Sequence, residues 1–128
     1  ASTHLQTIMV IHCNHAQELS YEVRESFKLL ITGGCRLLNQ AVLLKGINDC
    51  ADTLKALSEG LFEAGVLPYY LHQLDKVSGA AHFAVDPKQA IEIEKKLRQL
   101  LPGYLVPKLV TEQASMPSKL PLTEYLPR

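Results

Sequence analysis

The sequence predicts an α/β domain with a parallel βαβαβαβ order, and three observations carry that reading. Short runs rich in apolar and β-prone residues alternate with longer segments whose apolar residues recur at helical spacing. Each helical segment ends at a breaker: Gly33-Gly34, Gly65, or Leu101-Pro102-Gly103. Each connection between strands is long enough to hold a crossover helix, which makes neighbouring strands parallel and gathers every strand-end loop on one side of the sheet.

Residues 5–11, Leu-Gln-Thr-Ile-Met-Val-Ile, are the first strand, and residues 12–15, His-Cys-Asn-His, turn out of it. Over residues 21–31, Val23, Phe27, Leu30 and Ile31 mark one helix face. Residues 36–44 form the second strand and 45–49 its loop, followed by a helix over 51–64 with Leu54, Leu57, Leu61 and Phe62 inward. The third strand, 67–74, is apolar and aromatic; its long loop, with the small positions Ser78, Gly79, Ala80 and Ala81, runs to Val85. Asp86 caps the next helix and Pro87 opens it, with Ile91, Ile93, Leu97 and Leu100 as its apolar contacts. A last strand is expected over 104–111, and 112–128 is a polar, proline-containing tail, so the chain divides into 1–111 and 112–128.

Composition narrows the classes of function. In 128 residues, thirteen basic and thirteen acidic side chains cancel, so no broad field points to nucleic acid or an anionic membrane. No apolar run reaches membrane-spanning length, and residues 1–10 lack a signal-peptide pattern. Cys13, Cys35 and Cys50 are widely spaced with no Cys-x-x-Cys pair, which argues against a disulfide framework and makes a reducing cytoplasm the expected location.

Several side chains could carry chemistry. Asp75 follows the third strand directly, at the edge where α/β sheets place their sites, although an aspartate there serves equally well as a turn cap. Lys119, in Pro117-Ser118-Lys119, is on sequence alone a solvated lysine of a polar tail. On sequence alone His12 is more often a structural hydrogen-bonding group, and Tyr69, Tyr70 and His82 are more often packing residues than ligands. The turn His12-Cys13-Asn14-His15 offers metal-type donors, but a single turn does not complete a tetrahedral site.

Four stretches carry a resemblance to a known family: Leu37-Leu-Asn-Gln-Ala-Val-Leu-Leu-Lys-Gly-Ile-Asn-Asp49; Tyr69 through Phe83, with its unusual Leu74-Asp-Lys-Val-Ser-Gly-Ala-Ala-His-Phe83; Gly103-Tyr-Leu-Val-Pro-Lys108; and Pro117-Ser-Lys119. With weaker similarity from Ile8 onward, the chain resembles the C-terminal part of the lysine 2,3-aminomutases, radical S-adenosylmethionine enzymes that use pyridoxal phosphate. It is most similar to the branch that makes (R)-β-lysine for modifying elongation factor P. The resemblance implies the C-terminal part of a partial (β/α)6 radical S-adenosylmethionine barrel, isomerase activity on L-lysine, and a [4Fe-4S] cluster elsewhere in the enzyme. It further implies that Lys119 forms the imine that anchors pyridoxal phosphate and that Asp75 holds the substrate's ammonium group. Glu112 stands where some members have a second such aspartate, and His12 and Gln40 match residues near S-adenosylmethionine.

Three features set the chain apart from the family pattern. Ala114-Ser115-Met116 replace glycines that precede the family's lysine. The cluster loop Cys-x-x-x-Cys-x-x-Cys is missing, and Cys50, where some relatives have a zinc cysteine, lacks the later cysteines that would complete that site. No metal is therefore expected on these residues. The chain is expected to be a piece of a longer protein, inactive alone and prone to self-associate through open strand edges. Two alternatives stand beside this reading: a non-catalytic protein-interaction module, and a cluster-free pyridoxal enzyme.

Overall fold

A computed structural model describes residues 7–74 and 81–111, apart from the side chain of Ala81. The strands β1 (Thr7–Ile11), β2 (Cys35–Leu43), β3 (Val66–Gln73) and β4 (Lys108–Thr111) lie side by side in that order, and every neighbouring pair is parallel. The helices α1 (Tyr21–Thr32), α2 (Ala51–Glu63) and α3 (Pro87–Leu100) make the three crossovers. The described residues thus adopt the expected βαβαβαβ order, and the C-terminal ends of these four strands share one edge.

Alternation along β2 sets the two faces of the sheet. Leu37, Asn39, Ala41 and Leu43 are buried, while Leu38, Gln40 and Val42 between them are half-buried. The buried row packs with Leu54, Leu57 and Leu61 of α2, Ala90, Ile93 and Leu97 of α3, and Val66 and Leu71 of β3 in one core. Removing a fully buried leucine such as Leu61 from water contributes about 2 kcal/mol.

Local signals explain the helix ends. The Ser20 hydroxyl accepts from Val23 N at 3.2 Å to start α1, and Asp86 accepts from Lys88 N at 3.4 Å ahead of Pro87 to start α3. After α2 the chain reverses through Gly65, whose φ of 86° is the left-handed conformation that closes a helix.

The structure corrects several expectations. The stretch expected as a strand over 104–111 begins instead as a 3-10 turn, Gly103–Leu105, in which Leu105 N donates to Pro102 O and Val106 N to Gly103 O. Pro107 then has no N–H to offer a ladder, so β4 starts only at Lys108. Phe62, Ile91 and Leu100, expected inward, are 47%, 49% and 43% exposed. Ile91 lies about 100° around α3 from the buried Ala90, and Phe62 sits on the shoulder of the α2 stripe, where it packs against Tyr104 with ring centroids 5.6 Å apart. Ile31 is 38% exposed at the end of α1.

Candidate functional site at the C-terminal edge of the sheet

His12 and Gln40 each stand one residue beyond the register pair Ile11↔Asn39 of the first two strands. Ile11 packs on the core, so alternation turns His12 toward the other face, where it is exposed. Gln40 lies on the sheet face away from the buried row, and its carboxamide oxygen is 3.2 Å from His72 Nε2 on β3. The Gln40 carboxamide and the His72 imidazole are thus joined by a hydrogen bond across β2 and β3. Tyr70, read as a packing residue, is buried, and its ring meets His72 edge-on at 5.8 Å.

The turn after β1 is pinned by carboxamides rather than built as a ligand cluster. Asn39 accepts from Cys13 N at 2.9 Å and donates to Cys13 O at 3.0 Å, which extends the ladder past the end of β1. Asn14 accepts from Val42 N at 2.9 Å. Asn48 accepts from Leu44 N at 2.7 Å and donates to Asn14 O at 2.8 Å and Val42 O at 2.9 Å, joining the loops after β1 and β2.

The metal-type donors of this turn are dispersed. His15 Nδ1 accepts from Gln17 N at 3.1 Å as a cap. Cys13 is buried, and burial, aided by the nearby Glu18 charge, pushes its thiol up to about 11, so it stays protonated. Among the described residues, no three His, Cys, Asp or Glu side chains converge.

At the other end of the edge, Gln73 closes β3 and is the register partner of Thr111, the last residue of β4. Its Nε2 donates to Val85 O at 3.0 Å and its Oε1 accepts from Thr111 Oγ1 at 3.2 Å. On the β2 side, Lys45 N donates to Phe83 O at 2.8 Å, so the loops after β2 and β3 touch. Asp75, Glu112 and Lys119 lie outside the described residues. The strands that lead toward Asp75 and Glu112 nevertheless end as paired neighbours.

The chain is 52% identical over 122 residues to the L-lysine 2,3-aminomutase of Escherichia coli K12, an alignment that spans 95% of this chain and 36% of that protein. It is 51% identical over 119 residues to the L-lysine 2,3-aminomutase of Haemophilus influenzae, spanning 93% of this chain and 35% of that protein. The chain belongs to the lysine 2,3-aminomutase family. It spans about a third of the length of these relatives. The glutamate 2,3-aminomutase of Clostridioides difficile is similar at 34% identity over 116 residues, 90% of this chain and 28% of that protein. No protein-family model matches.

Periodicity alone did not single out Asn39, Asn48, Gln73 or His72 as residues that brace this edge. The one available signal was a polar residue falling in an apolar alternation, as Asn39 does between Leu37 and Ala41. Among the described residues, no helix is long and apolar enough to cross a membrane.

Proposed function

We propose that this chain is the part of a radical S-adenosylmethionine L-lysine 2,3-aminomutase that carries the pyridoxal lysine and grips the substrate's ammonium group. In this reading the enzyme makes (R)-β-lysine for elongation factor P in the cytoplasm. The main support is the 52% identity over 95% of the chain, and the paired ends of β3 and β4 suit it. Residues 1–111 would then be the C-terminal half of a (β/α)6 barrel, and 112–128 the pyridoxal-lysine loop and tail.

The chain's own residues take separate tasks. Asp75 pairs with the lysine ammonium, an interaction that strengthens once water is excluded, and Glu112 is assigned to the same charge. Lys119 holds the cofactor covalently through its amine. His12 and Gln40 take S-adenosylmethionine; the polar set at this edge, with the Gln40 carboxamide hydrogen-bonded to His72, fits a ligand that carries both donors and acceptors. When bound, pyridoxal phosphate and the cluster supply the radical chemistry that moves the amino group between carbons.

The test is chemical. Treating the complete gene product with pyridoxal phosphate and borohydride should label Lys119, and anaerobic incubation with L-lysine should yield β-lysine. No label and no β-lysine would point to the interaction module instead, and turnover without a cluster to a cluster-free pyridoxal enzyme.

A further inference from the structure

Gln73 is 5% exposed, and both ends of its carboxamide are used. A buried position at a strand end is ordinarily filled by an apolar residue, since a buried amide requires a donor partner and an acceptor partner at once. Here the two partners belong to different segments. Val85 follows Asp75 in sequence and lies immediately before the Asp86 cap of α3. Thr111 is the residue directly before Glu112. The backbone ladder already pairs Gln73 with Thr111, but it cannot reach Val85; only the side chain joins all three.

We propose that Gln73 is a positioning residue that fixes the end of β3, two residues before Asp75 in sequence, to Val85 and to the end of β4, one residue before Glu112 in sequence. This rests on the aminomutase reading above. The requirement is chemical rather than volumetric: methionine fills the same space with neither bond, and glutamate keeps an acceptor for Thr111 but has no donor for Val85.

The experiment measures kcat and KM for L-lysine in the complete gene product, together with Tm and borohydride labelling of Lys119. Gln73→Met is expected to raise KM about tenfold, with a smaller fall in kcat and labelling retained. Gln73→Glu should shift KM the same way, and should Gln73→Met fail to fold, Thr111→Val against Thr111→Ser carries the test. Thr111→Ser, which keeps the hydroxyl, is expected to recover most of the loss seen in Thr111→Val. A KM in Gln73→Met equal to that of the wild type, beside an Asp75→Asn variant that no longer binds lysine, overturns the proposal alone. So does a KM change that disappears when the assay is run well below the variant's Tm. A wild type that makes no β-lysine, or an Asp75→Asn variant with unchanged KM, overturns the underlying reading and the proposal with it.

Discussion

Asn48 has no exposed surface, and its carboxamide makes three hydrogen bonds, to Leu44 N, Asn14 O and Val42 O. Replacing it with leucine leaves those buried groups without partners, so Asn48→Leu should lose about 2–4 kcal/mol of stability, read as a lower urea midpoint. Cys13 gives a second prediction, with a definite sign. Its thiol is pushed up from 9.0 to about 11 by burial and by the Glu18 charge, so the folded chain holds the proton more tightly than the unfolded chain. The stability this contributes is complete below pH 9.0 and is lost as pH rises through about 11; Cys13→Ser should flatten that alkaline loss in a series of unfolding curves. In the native chain at pH 8, iodoacetamide should modify the exposed Cys50 and spare Cys13, and mass mapping of the labelled peptides checks it. Sequence reading reached such residues unevenly. His12 and Gln40 are singled out by resemblance, whereas Asn39 and Gln73 depend on partners 26 and 38 residues away, a relation no local pattern carries.

The helix stripes were legible because burial on α2 and α3 follows the 3.6-residue repeat through Leu54, Leu57 and Leu61 and through Ala90, Ile93 and Leu97. Their edges were not. Whether Phe62 turns inward depends on what lies beside the stripe, and Tyr104, 42 positions away, is what it meets. The expected last strand erred for a local reason that the sequence did contain: Pro102-Gly103 and Pro107 bracket a turn, which the apolar run Tyr104-Leu105-Val106 masked. Gly65 shows how a stop signal also serves packing. Its φ of 86° disfavours a side chain, and a Cβ there would run into Ile31 Cδ1 at the end of α1. Gly65→Ala should therefore cost about 2 kcal/mol in denaturant unfolding. Adding Ile31→Ala should return the steric part while the backbone part stays, so the double mutant should fall between the wild type and Gly65→Ala.

At the scale of the molecule, parallel order fixes which groups can meet. His12 and Gln40 share one end of the C-terminal edge, and Gln73 and Thr111 share the other. That much followed from alternating strands and helices; the tie from the end of β3 to Val85 and Thr111 did not, because the Gln73 side chain makes it. The same order decides what the three cysteines can do. Cys13 lies past the C-terminal end of β1, while Cys35 opens β2 beside its register partner Thr7. The six residues from Thr7 to Cys13 put the two thiols on the order of 20 Å apart along the strand direction. Cys50 stands at the start of α2, on a different element again. A four-iron cluster is a few ångströms across and needs thiolates converging on it, and Cys13 in addition keeps its proton at neutral pH. Anaerobic reconstitution of these 128 residues with iron and sulfide should therefore give no stable four-iron spectrum, and changing Cys13 and Cys35 to serine should leave the adventitious iron bound unaltered. A stable four-iron signal that the double serine variant abolishes would mean that the strands do not hold these cysteines apart in solution, and the parallel order itself would have to be redrawn.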